Sequence, residues 1–423
     1  MKAYEHSVLL EKSKCTGCTT CIRHCPTEAI RIKEGKAVIN SDRCIDCGEC
    51  IKHCPHSAKR AVSDKLSDMY GFKWKIALPA PTLYGQFDNL DDVDYVLDGL
   101  LKIGFDEVYE VSKAAELVSA YTRIYLQTEG IKKPAISSAC PVILRLIALR
   151  FPSLEEHVIH MLPPMEVAAK LARQRALDNH PELKPEDIGV CFITPCPAKV
   201  SYVKNGFAGY ASAVDKVVSI GDVYFLLINA MNKDTPIESL SESGRIGIGW
   251  ARSGGEATAI FNEDYLAADG IQNVIHVLDQ IETGNIPPLE FVELNACTGG
   301  CVGGALTMQN PFIAKARLQT LRRYMPVSQN NIPIGVTYIP DGFLFEDLPE
   351  YAPISRLGNS IAESMRMMAD IQKFKQTLPG IDCGSCGAPT CRAFAEDVIK
   401  KTACPEDCKL RDAWNSKDGK AME

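Results

Sequence analysis

Phe291-Val-Glu-Leu-Asn-Ala-Cys297-Thr-Gly-Gly-Cys301-Val-Gly-Gly304 is the stretch on which the fold turns. Its first half, with Glu290, predicts a strand over Glu290–Leu294. Its second half sets two cysteines four apart among Gly299, Gly300, Gly303 and Gly304. Such a loop has little side-chain bulk and can offer backbone N–H groups to an anion. Working outward, Lys73–Leu78, Pro134–Ser138, Gly189–Thr194, Arg245–Trp250 and Asn273–Val277 also read as strands. Pro164–Leu177 reads as a helix, with Val167 and Leu171 on one face and proline near its first turn. Helices alternating with short apolar runs argue an α/β fold with largely parallel sheets. Cys140 follows PAISSA, Cys196 follows GVCFITP and Cys297 follows FVELNA. Each lies just past the carboxyl end of a predicted strand, where open α/β sheets bind ligands. Four cysteines from three loops can thus converge on one metal cluster.

The whole chain has 423 residues, 46 basic and 53 acidic, for a net charge of -7. That length suits two or three domains, and a mildly acidic chain of this size is a poor general nucleic-acid binder. The N-terminus shows no apolar core followed by a small-residue cleavage site, and no run of about 18 apolar residues marks a membrane span. A cytoplasmic location without membrane contact is expected. There, 18 cysteines read as metal ligands or redox centres rather than disulfides.

Eight of them form two runs, Cys15-x-x-Cys18-x-x-Cys21-x-x-x-Cys25-Pro26 and Cys44-x-x-Cys47-x-x-Cys50-x-x-x-Cys54-Pro55. This is the bacterial ferredoxin pattern, twice, in which the fourth cysteine of each run reaches the other cluster. Cys15, Cys18, Cys21 and Cys54 are therefore expected on one [4Fe–4S] cluster, and Cys44, Cys47, Cys50 and Cys25 on the second. Zinc is disfavoured, because it usually takes paired Cys-x-x-Cys units. Each half is too short for a core of its own, so the clusters serve as the core. The basic excess over residues 1–60 reads as neutralising charge for them.

Near the other end, Cys383-x2-Cys386-x4-Cys391-x16-Cys408 follows a helix expected over Ser355–Thr377, with Ile361, Met365, Met368 and Ile371 at helical spacing. The pattern resembles a small [4Fe–4S] domain of redox and signalling iron–sulfur proteins. Cys408 is preferred as the fourth ligand, Cys404 is its rival, and zinc is the alternative metal.

The three central loops carry a more specific likeness. Ser137-Ser138-Ala139-Cys140-Pro141, Thr194-Pro195-Cys196-Pro197-Ala198-Lys199 and Glu293-Leu294-Asn295-Ala296-Cys297 through Gly300-Cys301 to Gly303-Gly304 resemble, in order and spacing, the signature loops of the [FeFe]-hydrogenases. The resemblance spans nearly the whole chain. It implies two mostly parallel sheets flanked by helices, an α+β ferredoxin-like N-terminal domain and a small helical C-terminal domain. The expected boundaries are 1–65, 66–350, a linker helix over 351–378, and 379–423. It also implies an H-cluster, a [4Fe–4S] unit on Cys140, Cys196, Cys297 and Cys301, with Cys301 bridging to a diiron unit carrying CO, cyanide and an azadithiolate. Anionic cyanides need donors, and Lys199 can supply a charge-assisted hydrogen bond. Thr82, in Ala80-Pro81-Thr82, is a weaker candidate for the other cyanide. H2 and protons, a ferredoxin or signalling redox partner, and hydrogenase maturation factors are the implied partners. Oligomeric state is open, with a homodimer as one option.

The sequence also departs from the productive enzymes. The proton-exchanging cysteine before the first ligand is replaced by Ala139, which carries no proton. Thr194 and Asn295 stand where methionines usually line the diiron pocket and should change its solvation. Glu116 is the only carboxylate in Ser112–Tyr125 and has no evident place on a proton path, and Glu293 opens the third loop. The expectation is slow, reversible hydrogen chemistry serving an H2 or redox sensor. The alternatives are a metabolic ferredoxin-dependent hydrogenase with another proton path, and a non-catalytic iron–sulfur scaffold.

Overall fold

Ile188–Thr194 is buried at every position, as befits a strand covered on both faces of a parallel sheet. The computed structural model, which describes residues 4–206, 211–231, 238–346, 357, 358, 360–411 and 414, places it inside a four-stranded sheet. The order is Glu107–Val108, Trp74–Pro79, Ile188–Thr194 and Lys216–Ser219, and every neighbouring pair is parallel. Trp74 pairs with Ile188 and Pro79 with Ile193, so both central strands deliver their carboxyl ends to the same edge. A second parallel sheet runs Tyr265–Asp269, Phe291–Asn295, Ala135–Ile136. Ala77, Ile193, Val218, Leu97 and Leu100 share one buried cluster. Burying such aliphatic side chains contributes about 1.5–3 kcal/mol each. The chain is thus α/β with parallel sheets and flanking helices.

Two strands expected from sequence are helices. Asn273–Val277 falls inside the helix Ile271–Glu282, whose buried Ile271, Val274, Ile275, Leu278 and Ile281 follow the helical period; a five-residue window hides it. Arg245–Trp250 holds the short helix Arg245–Gly249, where alternating Ile and Gly imitate a strand's period. A Cβ at Gly247 would lie 2.1 Å from the Ser112 carbonyl oxygen, so the glycine permits close packing on the helix Val111–Tyr125. Glu116 on that helix accepts from the Gly244 amide at 2.8 Å, Ser328 Oγ at 3.0 Å and Asn330 Nδ2 at 2.8 Å. It ties a loop down.

The chain divides into two compact units, 62–350 and 1–61 joined with 351–423. In the second unit, Val8–Leu10 pairs antiparallel with Lys59–Ala61, and Ile30–Lys33 with Lys36–Ile39. The expected helix at Ser355–Thr377 is found over Ile361–Lys375; Ser355 lies outside the described residues. It packs on Cys391–Ile399, with Phe374 and Phe394 rings 6.2 Å apart. Arg31 reaches Asp397 through Nε at 2.5 Å and Nη2 at 3.3 Å, and the Ile32 amide donates to the Gly387 carbonyl at 2.8 Å. The first and last segments are therefore one body. Among the described residues, no helix is long and apolar enough to cross a membrane.

Candidate iron–sulfur and hydrogen site

Cys140 and Cys196 are N-caps of the helices Pro141–Arg150 and Pro197–Asn205, each with proline at the first helical position. Helix N-termini favour negative charge beside them. The third loop follows Phe291–Asn295 and turns at Gly300, whose φ of 94° suits glycine. A Cβ at Gly304 would stand 2.2 Å from the Pro195 carbonyl oxygen, so the second and third loops meet without room for a side chain. Cys140, Cys196, Cys297 and Cys301 consequently line one cavity, with Ala139, Thr82, Lys199, Glu256, Glu293 and Asn295.

The chemistry of this cavity asks for a cationic centre. Burial and neighbouring Cys297 and Cys140 push the Cys196 thiol up, and burial pushes Cys301 to about 12. Bound iron is the kind of charge that reverses this and holds thiolates. Two donors also line the cavity. Thr82 Oγ1 is fully buried without a hydrogen-bond partner, and the Lys199 ammonium faces the Phe192 ring, 5.5 Å from its centroid. The donor set fits a thiolate-held cluster carrying anionic ligands.

Ala139 lines the cavity, and its amide donates to Ser137 Oγ at 3.2 Å. Ser137 Oγ in turn donates to Glu256 Oε2 at 2.6 Å. Sequence reasoning missed Glu256, because only the fold brings residues 137 and 256 together. Glu293 accepts from the Gly254 amide at 3.0 Å, the Ala257 amide at 2.8 Å and Asn295 Nδ2 at 2.6 Å. Burial raises both carboxyls, and the nearby Glu293 charge helps push Glu256 to about 8. Three donors favour the carboxylate on Glu293, so the proton of the pair rests on Glu256. Thr194 does not line the cavity as expected: its Oγ1 accepts from the Cys196 amide at 3.1 Å. A short hydroxyl folds back on its own turn, which a methionine would not do.

Three smaller compartments gather the other cysteines. Cys15, Cys18, Cys21 and Cys54 line one, and Cys25, Cys44, Cys47 and Cys50 a second. Cys383, Cys386, Cys391 and Cys408 line a third, while Cys404 is exposed outside it. Cys191 is a buried core thiol.

Residues 73–305, more than half of the chain, match the family model for the iron-only hydrogenase large subunit, C-terminal domain. The chain belongs to that family. A 4Fe-4S dicluster domain model matches residues 7–55, and an Fe–S cluster domain model matches 378–410. The chain is therefore an iron–sulfur protein of hydrogenase type. Among solved structures, a variant of the [FeFe]-hydrogenase HydA1 from Chlamydomonas reinhardtii is 16% identical, with a TM-score of 0.45, over 59% of this chain and 84% of that one. A second HydA1 variant gives 15%, 0.46, 63% and 87%. A structure of HydA(deltaEFG), described in terms of stepwise H-cluster assembly, gives 16%, 0.45, 61% and 86%. No curated protein gives a significant match.

Proposed function

We propose that the cavity holds an H-cluster and that the chain interconverts H2 with two protons and two electrons, slowly, as a sensor of hydrogen or redox state. The observation that carries this reading is the convergence of Cys140, Cys196, Cys297 and Cys301 on one cavity beside the Lys199 ammonium and the unpartnered hydroxyl of Thr82. When bound, the diiron half supplies the centre at which hydrogen is formed or split. Cys140, Cys196, Cys297 and Cys301 hold the cubane half. Lys199 and Thr82 would supply the donors to the cofactor's two cyanides and so orient it. Cys15, Cys18, Cys21 and Cys54 hold one ferredoxin-type [4Fe–4S] cluster, Cys25, Cys44, Cys47 and Cys50 the next, and Cys383, Cys386, Cys391 and Cys408 a C-terminal one.

Slow turnover follows from Ala139, a methyl group at the cavity wall where a proton carrier is needed. Glu256 holds a proton nearby but is tethered to Ser137. That geometry favours residual hydrogen chemistry, and it is also what supports the second reading, a metabolic hydrogenase with its own proton route. Infrared spectroscopy of the matured protein tests the assignment: CO and cyanide bands are expected, and their absence refutes the H-cluster. Steady-state H2 oxidation separates the two readings. A rate matching enzymes that keep the thiol relay sinks the sensory one.

A further inference from the structure

The two ferredoxin-like runs are an internal repeat, and superposing the repeat in sequence exposes charged replacements. Cys25-Pro-Thr-Glu-Ala-Ile30 corresponds to Cys54-Pro-His-Ser-Ala-Lys59, so a lysine stands where the first run has isoleucine. Both positions are core: Ile30 is 2% and Lys59 4% exposed. Their strands are equivalent too, with Ile30 paired to Ile39 and Lys59 to Leu10. Ile30 lines the compartment of Cys25, Cys44, Cys47 and Cys50, whereas Lys59 lines that of Cys15, Cys18, Cys21 and Cys54. The Lys59 ammonium is buried and has no hydrogen-bond partner. A buried cation without a partner is costly unless negative charge faces it. Thiolates and a reduced cluster are that charge.

The same superposition sets Gly17 against Asp46. Asp46 is 1% exposed and lines the other compartment, with Oδ1 accepting from the Val8 amide at 3.2 Å and Oδ2 at 2.8 Å from His6 Nδ1. One compartment therefore carries a fixed cation and its twin a carboxylate. An added electron makes a cluster more negative, so the cation stabilises the reduced state and the carboxylate destabilises it.

We propose that Lys59 divides the two ferredoxin-type clusters electrostatically, making the Cys15, Cys18, Cys21 and Cys54 cluster the one that is reduced first. This rests on the reading that both compartments hold [4Fe–4S] clusters. Both runs touch the C-terminal module: Arg23 Nη2, two residues past Cys21, donates to the Cys383 carbonyl at 2.9 Å, and Arg43, next to Cys44, pairs with Glu396.

The test is a potentiometric titration of the full chain followed by electron paramagnetic resonance, with iron counted per chain. Lys59→Ile, which copies the repeat partner, is expected to lower one [4Fe–4S] midpoint by at least tenfold in its reduction equilibrium, about 59 mV for one electron. Lys59→Arg is expected to leave it in place. Ile30→Lys is expected to raise a different signal, which in the wild type lies below the one that Lys59→Ile lowers. Unchanged midpoints in Lys59→Ile with iron retained overturn the proposal, as does one signal responding to both substitutions. If Lys59→Ile loses iron, Ile30→Lys decides alone, and no rise overturns it. A wild-type chain without iron in these compartments refutes the cluster reading instead.

Discussion

Replacing Glu256 by glutamine probes the buried carboxyl pair beside the cavity, and it does so with an unusual sign. The amide keeps the shape of the side chain and can still accept from Ser137 Oγ, which lies 2.6 Å from Glu256 Oε2. It removes the group that burial and the Glu293 charge push from 4.5 to about 8. A carboxyl whose folded value exceeds its unfolded one binds its proton more tightly in the folded state. Its stabilising contribution is complete below about 4.5 and is lost as pH rises toward about 8. At about 1.4 kcal/mol per pH unit, that interval bounds the effect at about 5 kcal/mol. Relaxation and water entry around an ionised side chain reduce this, and about 2–4 kcal/mol is expected. Glu256→Gln should therefore match the wild type near pH 5 and exceed its melting temperature by about 4–8 °C at pH 9. Thermal unfolding of the iron-loaded chain at a fixed scan rate reads this directly. A variant equally destabilised at both pH values refutes a proton shared on Glu256. So does a variant that retains the wild-type pH dependence.

Three further outcomes follow from the same geometry. Ala139→Cys places a thiol at the cavity wall, and H2 oxidation by the matured protein should rise about 10²–10⁴-fold, the usual worth of a positioned proton carrier; an unchanged rate shows that another step limits. Gly304→Ala forces a Cβ to 2.2 Å from the Pro195 carbonyl oxygen, so the third loop should part from the second, with a loss of about 2 kcal/mol or more in unfolding experiments and less iron bound at Cys196 and Cys301. The Arg31–Asp397 pair, 14% and 19% exposed by side chain, should show about 1–3 kcal/mol of coupling in a double-mutant cycle, read as loss of cluster absorbance in denaturant; zero coupling separates the C-terminal module from the ferredoxin-like segment.

The sequence alone determined the cysteine chemistry. Thiolate spacing is a local property, so runs such as Cys15–Cys25 or Cys297–Cys301 are legible as metal-ligand sets before the fold is known. It also marked strands at Gly189–Thr194 and Glu290–Leu294, found over Ile188–Thr194 and Phe291–Asn295, because short apolar-rich runs between turn residues favour extended backbone. It failed at Asn273–Val277 and Arg245–Trp250, where short windows contain too few turns to separate a period of 3.6 from one of 2. Glu256 was invisible for a different reason. Nothing near it in the chain marks it, and its partners Ser137 and Glu293 come from other loops. The repeat sets Lys59 against Ile30, but nothing along the chain marks it as buried without a partner. Spacing along the chain dictates which side chains can bind iron. Only packing decides which buried charges stand beside that iron, because burial and pairing depend on segments far apart in sequence.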